Sequence, residues 1–331
     1  MSAANLAGHL QRFFTDRLLQ QLGASPHTVA SYRDTFRLFL KFASKHRRRQ
    51  ASDLKVEDLD AKLVGSFLQH LEHDRQNSAR SRNSRLSAIH AFFAFVCTNE
   101  PALADHCQRV LAVPFKRFER GPVEFLTREE TTALLNAPDT TTWLGLRDQT
   151  LLDVAVQTGL RNSEIIQLRR QDVQLGAGAH VRCLGKGRKS RCTPLRSDVA
   201  ARLAHWLARL PPDPTTPIFP TAGGKPMSSD AFQRLVARHI KSAGTTCPSL
   251  LQKKVTPHTL RHTTAMDLLH HGVDITVIAL WLGHESIQTT HIYLHADMAM
   301  KEKALAQATK SKVIPKRYRP PDQLLAFLES L

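Results

Sequence analysis

The sequence lacks the features of secreted and membrane proteins. Its five cysteines are an odd number, form no Cys-x-x-Cys pair and are too few to cross-link a chain of 331 residues. The N-terminal segment, MSAANLAGHLQRFF, has no basic stretch followed by an apolar run, and no segment approaches the ~18 apolar residues of a membrane span. We therefore expect a cytoplasmic protein in a reducing compartment, without a membrane partner.

Acidic residues are few relative to basic ones. The chain has 46 Lys and Arg against 29 Asp and Glu, a net charge of +17 with neutral histidine. Because such an excess suits a polyanionic partner, nucleic acid is the expected ligand. The length predicts two domains of ordinary size, and a hydrophobic fraction of 42% predicts that they fold.

The first 110 residues are patterned as successive amphipathic helices. Ser25 followed by Pro26 is typical of a helix N-cap and first helical residue, and apolar side chains then recur at every third or fourth position. The same periodicity predicts helices near 60–73 and 78–96. Residues 111–127 contain two prolines, a glycine and mixed charge, which suit neither helix nor paired strand, so we predict a linker there.

The helix predicted near 78–96 opens with basic side chains. Its first turns place Arg80, Arg82 and Arg85 among serine and asparagine residues. Guanidinium groups and small polar side chains suit the oxygens of a phosphate backbone, and we therefore predict that these arginines contact DNA. The alternative is an ordinary solvated face, since charge runs are common on helices.

The chain beyond the linker is mostly helical, with one β-rich interval. A Thr-x-x-Glu capping box at 127–130 opens a helix, and Gly159 ends another. Three short strands are predicted over 172–195, where Cys183 and Cys192 could face each other as reduced thiols. Further helices are predicted near 197–210, 228–243, 256–271, 274–282 and 297–308. The predicted fold is mainly α (α+β), with a small antiparallel sheet in the second half.

Four short segments of the second half carry reactive and phosphate-binding side chains. They are TGLRNSEIIQL (158–168), LGKGRKSR (184–191), PHTLRH (257–262) and WLGHESIQTTHIYLH (281–295). In this order they resemble the tyrosine recombinases, the family of phage integrases and of XerC-like and XerD-like recombinases. Each motif alone is weak, but four in order, ending in Tyr293 nine residues after His284, make a specific match.

The resemblance implies a domain layout and a catalytic set. The implied layout is a helical, SAM-like DNA-binding domain over 1–110, a linker over 111–127, a catalytic domain over 128–293 and a tail over 294–331 that contacts another protomer. The implied catalytic residues are two arginines, a lysine on the strand turn, two histidines and a tyrosine nucleophile: Arg161, Arg261, Lys186, His258, His284 and Tyr293.

These residue types suit phosphoryl transfer without a cofactor. The reaction needs an attacking oxygen, cations around the non-bridging oxygens and a proton for the departing oxygen. A zinc pair at His258 and His262 is the alternative for one motif, but no third ligand follows at a metal-site spacing, so no metal is expected. Five other histidines are expected to be structural, solvated or supporting the site: His262, His270, His271, His291 and His295.

The resemblance thus implies an enzyme that cuts and rejoins double-stranded DNA through a covalent 3′-phosphotyrosyl link. It also implies a homo-oligomer, a tetramer on two DNA sites, or assembly with related recombinases. The long tail after Tyr293 looks more like integrases of transposons and insertion elements than like chromosome-dimer resolvases. Two alternatives stay open: relaxation of one duplex in the manner of a type IB topoisomerase, and a DNA-binding regulator that has lost catalysis.

Overall fold

The computed structural model describes residues 6–119, 123–185, 190–284 and 286–296, without the side chains of 294–296. The chain divides into two compact units, Met1–Gly121 (unit 1) and Pro122–Leu331 (unit 2). Helices dominate both, and unit 2 contains a small antiparallel sheet, so the predicted mainly α fold is confirmed. Within the described ranges, no helix is long and apolar enough to cross a membrane.

The described part of unit 1 contains helices joined by loops, and no strand. Its elements are α1 (Leu6–Arg12), a π-helix (Phe13–Gln21), α2 (Pro26–Arg47), short 3₁₀ turns (Ala51–Asp53 and Val56–Asp58), α3 (Ala61–His73), α4 (Ala79–Asn99), a 3₁₀ turn (Pro101–Leu103) and α5 (Ala104–Leu111). The predicted apolar stripes of α2, α3 and α4 meet in one core that is rich in phenylalanine.

The starts of these helices follow local sequence. The Ser25 hydroxyl accepts the amide N–H of Thr28, with Pro26 at the first helical position, and Asp60 and Ser78 cap α3 and α4 in the same way. Each cap satisfies an amide that the helix cannot pair internally. The ends of the helices follow less closely from local sequence: α4 continues three residues beyond the predicted boundary, to Asn99.

Unit 2 is a helical array with one sheet. Its helices are α6 (Arg128–Leu135), α7 (Trp143–Thr158), α8 (Asn162–Ile166), α9 (Ser197–Leu207), α10 (Ser229–Ala243), α11 (Pro257–His270), α12 (Ile275–Leu282) and α13 (His291–Ala296). Its 3₁₀ turns are Arg170–Asp172, Pro248–Gln252 and Ile287–Thr289. The mostly buried α7 packs against α9 and α11, which places the C-terminal end of α7 beside α11. The helix predicted near 297–308 lies outside the described residues.

Three strands form the sheet in the order β1 (Val173–Gln174), β2 (His180–Leu184) and β3 (Ser190–Pro194), all antiparallel. Cys183 pairs with Arg191 and Cys192 with Arg182. Because opposite residues share a face and successive residues alternate, the two cysteines lie on opposite faces, one buried and one exposed. The expectation that they face each other was wrong, because the register is shifted by one residue from the pairing it requires.

Candidate active site

Arg161 lies at a sharp turn between α7 and α8. Gly159 ends α7 with φ +61°, and a Cβ there would lie 2.7 Å from a methyl group of Leu282, so only glycine fits without rearrangement. Arg161 then caps α8, and its guanidinium donates to the Glu164 carboxylate at 2.8 Å and to the Gly283 carbonyl at 2.8 Å. The turn and these two bonds hold the guanidinium beside the end of α12.

Arg261 is buried in the second turn of α11. Its guanidinium donates to the carbonyl oxygens of Gly159 and Leu282, both at 2.7 Å, which joins the ends of α7 and α12. Burial, and then the charge of Arg161, lower the pKa of Arg261 to about 10. The side chain is therefore still a cation at neutral pH, held in a poorly solvated place close to a second cation.

His284 follows the left-handed Gly283 that ends α12. Its amide donates to the Ala279 carbonyl at 2.9 Å, and its Nδ1 lies 2.7 Å from the hydroxyl of Thr290. Burial, followed by the charges of Arg261 and Arg161, lowers the pKa of His284 to about 4. The imidazole is neutral at pH 7 and so has one donor and one acceptor nitrogen.

Tyr293 lies in α13 and is only 1% exposed. Its hydroxyl is 2.9 Å from Nδ1 of His262, which lies on α11. Burial raises the pKa of Tyr293 to about 12, although Arg261 pulls in the opposite direction. The phenol is therefore protonated at neutral pH, and the candidate nucleophile must lose a proton when its oxygen attacks.

His258 and His262 stand one helical turn apart on α11. The His258 side chain is exposed near the helix start, and its ring centroid is 4.3 Å from that of His262 in an edge-on arrangement. Within the described residues, no three His, Cys, Asp or Glu side chains are grouped as metal ligands. The sequence predicts only a structural, solvated or supporting role for His262. Its four-residue spacing from His258, which places both rings on one face of α11, is the signal that connects it to the site.

Glu164 and Arg191 form a second part of the site that sequence analysis missed. The buried Glu164 carboxylate accepts two bonds from Arg191, at 3.0 and 2.7 Å, and one from the Arg161 guanidinium. Burial alone would raise the pKa of Glu164, but the bonds and charges of these arginines outweigh it and lower the pKa to about 2. Glu164 is thus an anion that links α8 to strand β3.

Lys186 lies outside the described residues, between β2 and β3, and its role stays a prediction. Arg191, opposite Cys183 in the register, attaches the base of this strand pair to Glu164 and hence to Arg161. The β3 end of this strand pair is therefore held to the site by the ion pair between Arg191 and Glu164. Nothing in the residue types around Arg191 distinguished it beforehand from the other basic residues of the turn.

The three arginines predicted to contact DNA lie on α4 in unit 1. Arg80 is exposed, whereas Arg82 and Arg85 are half-buried. Arg82 donates to the carbonyl of Pro114 at 3.0 Å, so part of its guanidinium holds the chain that follows α5. Burial, and then the neighbouring Arg75, lower the pKa of Arg85. The predicted DNA contacts remain a prediction for all three, with Arg80 the most accessible.

Comparison with known proteins identifies relatives of both units. The phage integrase family matches residues 124–300, and the N-terminal SAM-like domain of phage integrases matches residues 10–99. The chain is 52% identical to the integrase/recombinase y4rC of Sinorhizobium fredii over 328 residues, 99% of each chain. It is 30% identical to the tyrosine recombinase XerD of Pseudomonas putida over 305 residues, 89% of this chain and 95% of that protein.

Solved structures share the fold at lower identity. The chain is similar to the XerH site-specific recombinase bound to a palindromic difH substrate, with a TM-score of 0.68, 22% identity, and coverage of 86% of this chain and 80% of that one. It is equally similar to the Tn1549 transposon integrase in complex with transposon right end DNA, with a TM-score of 0.68, 16% identity, and coverage of 90% and 99%.

Proposed function

The chain belongs to the phage integrase family of tyrosine recombinases, enzymes that cut and rejoin DNA, and on this premise we propose that it recombines specific sites through a covalent 3′-phosphotyrosyl link on Tyr293. The recombinase names of its relatives favour this function over relaxation of a single duplex and over a regulator without catalysis.

The observation that carries the proposal is the shared anchoring of two arginines. Arg161 donates to the carbonyl of Gly283, and Arg261 donates to the carbonyl of Leu282, the two residues immediately before His284. The charge of Arg161 contributes to the lowered pKa of Arg261, so the two cations repel each other. A phosphate that binds both guanidinium groups would relieve that repulsion, which makes the cluster a suitable site for a phosphodiester.

The chemistry follows from these groups. The Tyr293 oxygen attacks phosphorus and forms a new P–O bond, while the bond from phosphorus to the 5′ oxygen breaks. Arg161 and Arg261 neutralise charge on the non-bridging oxygens, and neutral His284 can donate a hydrogen bond there. The ammonium of Lys186 is assigned to protonate the departing 5′ oxygen. The phosphotyrosyl ester retains the bond energy, so a 5′-hydroxyl of another strand can reverse the step.

Assembly and domain roles are part of the proposal. We assign DNA binding to residues 1–110, catalysis to 128–293 and contacts between protomers to 294–331, with a tetramer of this chain, or of this chain and related recombinases, on two double-stranded DNA sites. The high positive charge supports binding to the duplex backbone. A chain truncated after residue 296 should bind DNA but fail to exchange strands; normal recombination by that chain would remove the tail from the assignment.

The decisive experiment traps the covalent link. Nicked duplexes that carry an inverted repeat identified by a search of the DNA flanking the gene should give a protein–DNA adduct that survives denaturation, with the protein on the 3′ side of the break. Tyr293→Phe should abolish the adduct. Tyr32→Phe is the matched control, since Tyr32 packs on Phe13 in unit 1. An adduct formed by Tyr293→Phe would refute the assignment, and site-independent plasmid relaxation without exchange would favour the topoisomerase-like alternative.

A further inference from the structure

The hydrogen bond between His262 and Tyr293 has a geometry suited to proton transfer. Nδ1 of His262 is 2.9 Å from the phenolic oxygen, and the two rings meet edge-on at 66° with centroids 5.5 Å apart. This distance is within the normal range for a hydrogen bond between a hydroxyl and a ring nitrogen. The contact joins α11 to α13 across 31 residues of sequence, so it depends on the tertiary fold.

The surroundings keep the His262 ring neutral. Burial, then the neighbouring His258 and Arg261 on the same helix, lower the pKa of His262 to about 4, and the phenol that faces it from α13 keeps its proton. In a neutral imidazole one nitrogen accepts and the other donates. When Nδ1 is the acceptor, the phenolic proton points at His262, and the oxygen lone pairs are left available for phosphorus.

We propose that His262 is a catalytic residue, which orients the hydroxyl of Tyr293 and accepts its proton at Nδ1 as the oxygen attacks phosphorus. The inference rests on the proposed function. In the step, the phenolic O–H bond breaks and its proton goes to Nδ1, the P–O bond to tyrosine forms, and the bond to the 5′ oxygen breaks. That oxygen takes a proton from a separate donor, which we assign to Lys186. In the rejoining step the proton returns from His262 to Tyr293.

The contacts of His284 and His262 point to different roles for these two rings. His284 directs Nδ1 to the hydroxyl of Thr290, on the segment that precedes α13. A ring nitrogen of His262, by contrast, lies 2.9 Å from the attacking oxygen. A phosphodiester that enters beside Arg261 brings negative charge, which favours protonation of a nearby imidazole. Substrate binding therefore strengthens the base at the time when it is needed.

The test distinguishes removal of the proton from Tyr293 from protonation of the departing 5′ oxygen. On the nicked inverted-repeat duplex, His262→Ala should form adduct about 10²–10⁴-fold more slowly than wild type, the ordinary contribution of a general base. His262→Asn places an amide oxygen close to the position of Nδ1, which can orient the hydroxyl but cannot take its proton, so it should recover only a small part of the rate, and His262→Gln should recover less. His271→Ala, an exposed histidine at the end of the same helix, should react like wild type.

A duplex with sulfur at the 5′-bridging position tests which proton is involved, since a thiolate departs without protonation. Loss of Lys186 should be rescued by this substrate, and loss of His262 should not. Adduct formation by His262→Ala at or above the wild-type rate would overturn the proposal, and so would rescue by sulfur. Should His262→Ala fail to fold, a His262→Asn protein that folds, binds the duplex and forms adduct at the wild-type rate would also overturn it. If Tyr293→Phe forms the adduct, the proposed function itself fails; this outcome differs from a wild-type rate in His262→Ala, which would overturn only the role of His262.

Discussion

Replacing Glu164 with glutamine should destabilise unit 2 by about 3 kcal/mol at neutral pH and slow DNA cleavage. The carboxylate is 6% exposed and accepts from Arg191, from the Arg161 guanidinium and from the Arg161 amide. The fall of its pKa from 4.5 to about 2 corresponds to about 3 kcal/mol, at about 1.4 kcal/mol for each factor of ten. Glutamine also turns an N–H₂ group towards two guanidinium groups that need an acceptor.

The pH dependence of this difference has a definite sign. Because folding lowers the pKa of Glu164, the carboxylate stabilises the folded protein fully above pH 4.5, and that contribution is lost as the pH falls towards 2. The free energies of unfolding of wild type and Glu164→Gln should therefore differ by a constant amount above about pH 5 and converge below that pH. Cleavage should fall by up to about 10²-fold, because Arg161 loses one of its two guanidinium anchors.

The measurement is urea unfolding followed by tryptophan fluorescence across pH 3 to 8. All three tryptophans, Trp143, Trp206 and Trp281, lie in unit 2, so the signal reports the unit that contains Glu164. Glu124→Gln makes the same chemical change at an exposed position of unit 2 and is the control. A difference below about 1 kcal/mol at pH 7, or one that is the same at pH 3 and pH 7, would refute the reasoning.

Further predictions concern two other catalytic residues, a buried carboxyl group and DNA binding. Arg261→Lys should slow adduct formation by about 10²–10³-fold, because lysine lacks the planar fork that bonds two carbonyls and a phosphate; a wild-type single-turnover rate would contradict this. Lys186→Ala should be inactive on ordinary DNA and active on 5′-bridging sulfur, and absence of that rescue would move the acid role elsewhere. Burial raises the pKa of Asp153 to about 6, although Nε of Arg202 lies 2.8 Å from its carboxylate oxygen. Because ionisation of this buried carboxyl is unfavourable, the folded protein loses stability as the pH rises from about 4 to about 6. Asp153→Asn should consequently be more stable than wild type at pH 8, by up to about 3 kcal/mol, and similar at pH 3; equal urea midpoints at pH 8 would show the cost to be absent. Binding of the inverted-repeat duplex should weaken steeply with salt, and a flat plot of log affinity against log salt would exclude a mainly electrostatic interaction.

Helix starts and turns were predictable because they depend on nearby residues. Ser25 and Asp60 cap helices by accepting hydrogen bonds from amides three residues away. Gly159 ends α7 because it adopts a left-handed backbone conformation, which is strained for residues with a side chain but not for glycine. The apolar periodicity of α2, α3 and α4 likewise predicted which faces are buried. The strand register was not predictable, because β3 reads Ser-Arg-Cys-Thr-Pro and lacks the apolar alternation that would decide which of its faces is buried.

By itself the sequence determined the mainly α fold and the membership of a family, through four motifs and a strong positive charge. It placed Arg161, Arg261 and Tyr293 in separate motifs without showing what each side chain contacts. Only the tertiary structure decided that Glu164 lies between Arg161 and Arg191, and that His262 meets Tyr293. The physical reason is distance along the chain: Arg191 lies on β3 and Glu164 on α8, and His262 lies on α11 and Tyr293 on α13, so these hydrogen bonds form only after those elements have packed.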